Sequence, residues 1–286
     1  MGLKDFDKVT IEDDSYPKLL REIPDPPGYL YVKGNISLLG NPSISVVGTR
    51  RASRYGKEVA RDLSYRLSDL GLTVVSGLAR GVDTWAHIGA LDGKGKTVAV
   101  LGSGIDVIYP KENRKLYERI CEEGLIISPF EPGEKPYKWN FPKRNRVIAG
   151  ISFGTVVVEC PMKSGAMITA RLALDYGREV FAVPGNITST LSKGPNYLIR
   201  NGAKPVIDIE DIISELPLNF PKRRDKKEIE EREVKVLELI KKGIDSEEDI
   251  IKELDIDFPE LSEILLSLEI KGFIRVSYGK IHLLGG

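Results

Sequence analysis

Short apolar runs alternate with longer segments of helical periodicity along residues 41–216. The apolar runs predict buried strands at 44–48, 73–77, 97–102, 125–128, 155–159, 180–183 and 205–207. Between them, apolar residues three and four positions apart predict helices near 56–70, 83–92, 112–123, 145–151, 165–176, 195–201 and 209–215. Strands that are apolar throughout and alternate with helices are typical of a parallel sheet covered on both faces. The sequence therefore predicts an α/β fold with a doubly wound, mostly parallel sheet.

The two ends of the chain follow other patterns. Residues 1–40 contain several prolines and predict a short irregular appendage, in which 29–32 are a candidate for an added edge strand. Residues 217–228 are rich in Pro, Lys and Arg and predict a linker. The remaining residues, 229–286, predict three helices and then a β-hairpin. This order is typical of a small winged-helix domain.

The formal net charge is zero, but the charges are unevenly distributed. From residue 225 to the end there are 10 Lys/Arg and 16 Asp/Glu, which leaves 32 basic and 26 acidic residues before it. The last predicted helix carries Glu260, Glu263 and Glu269 against Lys271 alone. Because phosphates repel such a helix, we expect the C-terminal domain to contact proteins rather than DNA.

The composition excludes several classes of protein. The longest apolar runs span about six residues and predict no membrane span, and the N-terminal residues have no apolar core typical of a signal peptide. Two cysteines and two histidines predict no disulfide framework, no metal site and no catalytic triad. His87 is interpreted as structural, whereas Glu159 is the acid most suspected of lining a pocket. We expect a cytoplasmic protein without catalytic residues or a cofactor.

Small and cationic residues occur where the predicted strands end and where the 165–176 helix begins. They are Gly48, Thr49, Arg50, Ser76, Gly77, Ser164, Gly165 and Thr169. The carboxyl ends of parallel strands meet at one edge of a sheet, where helix N-termini and arginine side chains bind anions. Together these loops predict a phosphate-binding pocket, although each alone would equally suit a tight turn. The glycine spacing of a dinucleotide-binding loop is absent.

Residues 139–150 place basic residues beside aromatic ones. The basic residues are Lys143, Arg144 and Arg146, the aromatic ones are Trp139 and Phe141, and Lys111 adds a cation near another strand end. This combination is typical of single-stranded nucleic acid binding, because cations follow the backbone and rings stack on bases. A solvated basic turn beside core aromatics would have the same composition, so both interpretations stay open.

Several motifs resemble those of the DNA-processing protein A (DprA/Smf) family. They are VVGTRRAS (46–53), SGLARGVD (76–83), GSGIDVIYP (102–110), FPKRNRVIAG (141–150), SGAMITA (164–170) and FAVPG (181–185). The resemblance implies a Rossmann-like domain over 41–216 that binds single-stranded DNA without cleaving it. It also implies protection of incoming strands in natural transformation, loading of the RecA recombinase, and a homodimer formed through this domain.

The resemblance also implies which residues contact DNA. It assigns Arg50 and Lys111 to the DNA pocket, together with basic residues of 143–146, among which the choice is open. The alternative is a nucleotide-processing enzyme of the lysine-decarboxylase-like phosphoribohydrolase type. Such enzymes carry a Pro-Gly-Gly-x-Gly-Thr-x-x-Glu loop, which residues 160–165 do not reproduce.

Overall fold

A nine-stranded sheet organises the larger of two structural units in the computed structural model, which describes residues 6–217, 230–270, 273–277 and 280–283. The strands are β1 (Asp7–Thr10), β2 (Tyr29–Gly34), β3 (Ser43–Val47), β4 (Thr73–Ser76), β5 (Thr97–Val100), β6 (Leu125–Ser128), β7 (Gly154–Val157), β8 (Glu179–Ala182) and β9 (Lys204–Pro205). The helices are α1 (Lys18–Arg21), α2 (Arg54–Asp69), α3 (Val82–Leu91), α4 (Arg114–Glu123), α5 (Asn140–Ile151), α6 (Gly165–Asp175), α7 (Lys193–Arg200) and α8 (Glu210–Ile213). Two short 3₁₀ helices span Ile36–Gly40 and Lys111–Asn113.

The strand order confirms the predicted doubly wound fold. The order is β1-β2-β6-β5-β4-β3-β7-β8-β9, and the strands from β3 to β9 pair in parallel. The chain moves outward from β3 through β4 and β5 to β6, and then continues on the other side of β3 with β7. Connections from β3 and β7 therefore leave in opposite directions. Such a switch point opens a crevice beyond the carboxyl ends of the two strands.

The described part of the N-terminal segment, residues 6–40, is more regular than its prolines predict. β2 pairs antiparallel with β6, and β1 pairs with the outer side of β2, so 29–34 are not an edge strand. Tyr16 and Leu20 are at most 1% exposed and pack into the same apolar core as the central strands. The prolines at 24, 26 and 27 fall in the connection between α1 and β2, where they interrupt no strand pairing.

The helix α5 begins at Asn140, five residues before its predicted start. Pro142 lies in its first turn, where a residue without an N–H group breaks no intrahelical hydrogen bond. Most of the stretch 139–150 is therefore helical rather than a basic turn.

The second unit, Asn219–Gly286, has a separate apolar core. Its elements are α9 (Glu231–Lys241), α10 (Glu247–Leu254), α11 (Phe258–Ile270) and the antiparallel strands β10 (Ile274–Ser277) and β11 (Lys280–Leu283). Buried residues of all three helices and both strands form this core. The order of elements is the predicted one, and the winged helix remains an interpretation of it. Most of the predicted linker, 218–228, and residues 278–279 of the predicted hairpin lie outside the described residues.

Membrane-spanning helices do not occur among the described residues, since none of their helices is long and apolar enough.

Candidate nucleic-acid interface

Two adjoining cavities lie at the carboxyl ends of the central strands. The first cavity, of about 350 Å³, lies at the switch point between the loops that follow β3 and β7. The second cavity, of about 290 Å³, lies over the loops that follow β4 and β5. The two cavities share five lining residues, which are Arg50, Arg51, Ala79, Phe141 and Arg144. Together the two cavities form the crevice.

The structure brings most of the predicted site residues to the crevice. Those that line it are Gly48, Thr49, Arg50, Gly77, Phe141, Arg144, Ser164, Gly165 and Thr169. Those that do not are Ser76, Lys111, Trp139, Lys143 and Arg146. The hydroxyl of Ser76 is buried in the sheet and donates to the carbonyl oxygen of Val46 at 2.7 Å. Lys111 is exposed and directly follows Pro110, which lines the second cavity.

The start of α5 separates the three basic residues that the sequence places together. With 3.6 residues per turn, neighbouring side chains on a helix point about 100° apart. Arg144 points into the crevice and is 5% exposed, whereas Lys143 is exposed and lines neither cavity. Arg146 forms an ion pair with Asp25 of the N-terminal segment. Among the three, the structure therefore places only Arg144 in the crevice.

Arg144 is a buried cation that connects three elements. Its Nη1 donates to the carbonyl oxygens of Gly77 and Val100 at 2.6 and 2.7 Å, and its Nε donates to Oδ1 of Asn145 at 3.1 Å. Burial lowers the pKa of Arg144 to about 10, partly offset by the charge of Asp83. The guanidinium stays protonated at neutral pH and fixes the ends of β4 and β5 against α5.

The glycines of the strand ends make room for protein groups. A Cβ at Gly77 would lie 2.4 Å from Nη1 of Arg144, and one at Gly102 would lie 2.8 Å from the Phe141 ring. A Cβ at Gly48 would lie 2.4 Å from a methyl group of Val82. At these three positions a larger residue would clash with Val82, Arg144 or Phe141, so neighbouring protein groups require glycine. Gly48 and Gly77 also line the crevice, and their role in phosphate binding stays a prediction.

Arg50 lies at the boundary between the two cavities. Its Cζ lies 4.9 Å from the centroid of the Phe141 ring, in a cation–π contact. The Tyr109 ring, which is 40% exposed, lies 5.8 Å from the Phe141 ring on the side of the second cavity. The crevice therefore presents a cation and two aromatic rings at one place.

Sequence reasoning missed three further cations of the crevice, Arg51, Arg80 and Lys163. Arg80 forms an ion pair with Glu112. Within the described part of the chain, Arg50, Arg51 and Lys163 have no carboxylate partner at ion-pair distance. Each of these three cations lies in a loop that the sequence predicts to border the pocket. Their position after a predicted strand is the feature that could have identified them.

The loop that follows β4 is held by buried hydrogen bonds. Leu78 has a φ of 54°, which a residue with a side chain adopts only when its surroundings hold it there. Its N–H donates to Nε2 of His87 at 3.2 Å, while Nδ1 of His87 lies 2.7 Å from the hydroxyl of Thr97. Because that hydroxyl donates to the carbonyl oxygen of Val74, the His87 ring is neutral, with its proton on Nδ1. The interpretation of His87 as structural is confirmed.

Two acids near the crevice are engaged with the protein. Oδ2 of Asp83 accepts from the N–H groups of Gly77 and Ala79 at 3.2 and 3.4 Å, and burial raises the pKa of this carboxyl. Glu159 accepts from the N–H and hydroxyl groups of Ser53 at the start of α2. It lines neither cavity, so the suspicion that it lines the pocket is wrong.

We expect His87 to make the stability of the first unit depend on pH. Burial, with a smaller contribution from the charge of Arg144, lowers the pKa of His87 to about 3, whereas an unfolded histidine has a pKa of about 6.5. Between these values only the unfolded chain binds the proton, so the free energy of unfolding falls as pH falls. The slope from this residue reaches about 1.4 kcal/mol per pH unit.

Urea unfolding between pH 4 and 7, followed by the fluorescence of Trp85 and Trp139, measures this slope. His87→Gln should make it shallower than in the unchanged protein, and the exposed His282, changed to Gln, is the control. Burial raises the pKa of Asp83, so this residue contributes a slope of the opposite sign. Because both proteins contain Asp83, its contribution cancels in the comparison. Equal slopes in the protein and the His87 variant would contradict the assignment.

The family profile of DNA recombination-mediator protein A matches residues 7–217. DNA processing protein DprA of Streptococcus pneumoniae is 46% identical over 210 residues, which cover 73% of this chain and 74% of that protein. Protein Smf of Escherichia coli is 41% identical over 209 residues, which cover 73% of this chain and 56% of that protein.

Solved structures agree with these matches. The X-ray structure of DNA processing protein A from Streptococcus pneumoniae superposes with a TM-score of 0.72 at 44% identity, over 76% of each chain. That of DNA processing protein A from Helicobacter pylori, described for its single-stranded DNA binding mode, superposes with a TM-score of 0.67 at 34% identity. It covers 73% of this chain and 95% of that one. On the sequence match and the shared fold, this chain belongs to the DNA recombination-mediator protein A family.

Proposed function

We propose that this protein binds single-stranded DNA in the crevice and acts in natural transformation and recombination. In this role it protects incoming strands and helps to load the RecA recombinase onto them. The observation that carries the proposal is Arg50, an exposed cation without a carboxylate partner among the described residues, held against Phe141 where the two cavities meet. The single-stranded DNA binding mode described for the Helicobacter pylori relative supports it.

The charges of the crevice suit a phosphate backbone. Arg50, Arg51 and Lys163 carry positive charge that no acid of the described residues neutralises by direct pairing. Binding of phosphates to such groups depends little on base sequence, because each nucleotide presents the same anion. A recessed site between loops suits a single strand, whose backbone and bases can enter separately.

The aromatic rings of the crevice have different tasks. Phe141 holds the Arg50 guanidinium over its ring, so a base stacks on Phe141 only after Arg50 moves aside. Tyr109 offers a partly exposed ring in the second cavity. Trp139 is 62% exposed and stacks on Tyr137 at 4.7 Å, outside both cavities. We assign base stacking to Tyr109 and Trp139, and positioning of Arg50 to Phe141.

We propose that the protein acts by binding and not by catalysis, because the side chains of Asp83 and His87 are engaged in hydrogen bonds within the protein. Asp83 is the acid that lines the first cavity, and its carboxylate accepts two backbone N–H groups beside Arg144. The ring nitrogens of His87 are both engaged. Incubation with nucleoside monophosphates should release no free base, whereas release would favour the phosphoribohydrolase alternative.

The first test is preference for single-stranded over double-stranded DNA. If four to six phosphates are neutralised, the logarithm of the binding constant should fall with the logarithm of salt concentration with a slope of about −3 to −4. Gel-shift titrations of both DNA forms at several salt concentrations measure the preference and the slope. Equal or tighter binding to duplex would contradict the proposal.

The second test concerns Arg50. Loss of a charge-assisted, two-pronged phosphate contact costs about 1.5–3 kcal/mol, so Arg50→Ala should weaken single-strand binding about ten- to a hundredfold. Arg50→Lys should recover only part, because an ammonium group cannot bind in two-pronged geometry.

Arg146→Ala is the matched control, since Arg146 is paired with Asp25 outside the crevice. It should bind within about twofold of the unchanged protein, a difference of roughly 0.4 kcal/mol. Circular dichroism establishes that each variant is folded. Unchanged affinity in a folded Arg50→Ala protein would place the site elsewhere.

We also propose a homodimer formed through the first unit. Ile207 is 85% exposed and borders a shallow groove with Tyr55, Val183 and Val206. Charged residues, among them Glu58, Arg66 and Asp208, also line this groove, and we assign the packing of a second copy to its exposed apolar residue Ile207.

Light scattering at micromolar concentration tests the dimer. The unchanged protein should give the dimer mass, and Ile207→Asp should give the monomer mass because it would bury a charge at the interface. Ile36→Asp, at an exposed apolar residue elsewhere on the first unit, should leave the dimer intact. A monomer mass for the unchanged protein would contradict the proposal.

A further inference from the structure

The first turn of α6 opens into the first cavity beside unpaired cations. Gly165 and Ala166 line the cavity, and their N–H groups lie at the positive end of an 11-residue helix. The Ser164 hydroxyl accepts from the Met167 N–H and so occupies one donor of this turn. Lys163 precedes the helix and lines the same cavity.

Gly165 differs from the other glycines of the crevice. A Cβ at Gly48, Gly77 or Gly102 would lie within 2.8 Å of a protein group, whereas at Gly165 the nearest atom is Nδ2 of Asn145 at 3.8 Å. No described protein group claims the space above Gly165. The backbone at this point is therefore open to a close approach from the cavity.

The first cavity is closed on the side of the sheet. Val47, Ile148 and Thr169 line it and are at most 4% exposed. A phosphate that enters over Arg50 from the second cavity therefore meets a closed floor on the side of the sheet. Asp83 also lines the cavity, but its carboxylate lies beside Arg144 and accepts from the Gly77 and Ala79 N–H groups.

We propose that the first cavity holds a terminal phosphomonoester of a DNA strand, in addition to the phosphodiesters bound elsewhere in the crevice. A phosphomonoester carries about −1.5 to −2 charges near neutral pH and three terminal oxygens, whereas a phosphodiester carries one charge. The cavity matches the larger charge with Arg50, Arg51 and Lys163, and the first-turn N–H groups of α6 supply further donors. This inference rests on the proposed function, because it concerns how the same site receives strand ends.

Competition binding with the full chain tests the inference. The probes are thymidine oligonucleotides of one length with a 5′-phosphate, with a 3′-phosphate or with hydroxyls at both ends, a circular strand, and free thymidine monophosphate. One phosphorylated end should bind about fivefold or more tightly than the hydroxyl ends, a difference of roughly 1 kcal/mol or more. The circle should bind like the hydroxyl form.

A pair of glycine variants locates the effect. Gly165→Val fills the space above the first turn of α6 and should reduce the affinity ratio between phosphorylated and hydroxyl ends to less than about twofold, a difference of roughly 0.4 kcal/mol. Gly28→Val is the control, since a Cβ there also meets no atom within 4 Å but lies outside the crevice. It should keep the full ratio.

The outcomes separate the two claims. Equal affinity for circular, hydroxyl and phosphorylated strands would overturn the end-binding inference while single-strand binding stands. A ratio that survives Gly165→Val would also overturn it. Binding of free thymidine monophosphate as tight as that of the phosphorylated strand would show a nucleotide site rather than a strand-end site. Failure of every oligonucleotide to bind would overturn the proposed function itself.

Discussion

The buried guanidinium of Arg144 is the interaction on which the rest of the crevice depends. It joins the carbonyl ends of β4 and β5 to α5, and a charge buried this deeply is tolerated only because its partners surround it. Gly77 must lack a side chain to admit it, and Asp83 lies beside it. Arg144 therefore holds together the strand ends and the helix that line both cavities, and its charge is neutralised by groups of the protein.

The cations of the crevice have two different roles, one structural and one in binding. Arg144 stabilises the architecture, while Arg50, Arg51 and Lys163 remain available at the surface of the cavities. Phe141 connects the two roles, since its ring packs against Gly102 and carries the Arg50 guanidinium. A side chain at Gly102, which lines the second cavity, would therefore displace the Phe141 ring and with it the Arg50 guanidinium.

The sequence predicts the sheet and the location of the site because both follow from local patterns. Apolar runs mark β3 to β8, and the rule that ligands bind beyond the carboxyl ends of parallel strands then selects Arg50 and the loop before α6. What the pattern does not contain is the direction of each side chain. In the sequence, Lys143, Arg144 and Arg146 are three basic residues with no feature that distinguishes them. Because α5 begins at Asn140, Lys143 lies exposed to solvent, Arg144 lines the crevice and Arg146 pairs with Asp25. Ser76 looks like a phosphate ligand, but it faces the sheet interior.

Hydrogen–deuterium exchange with and without an oligonucleotide tests whether single-stranded DNA occupies the crevice. If it does, the backbone amides in the loops at 48–51, 77–81 and 163–167, which surround the two cavities, should exchange more slowly. The segments around Asp25 and the second unit should exchange at unchanged rates. Unchanged exchange in all three loops, with protection elsewhere in the chain, would show that DNA binds outside the crevice.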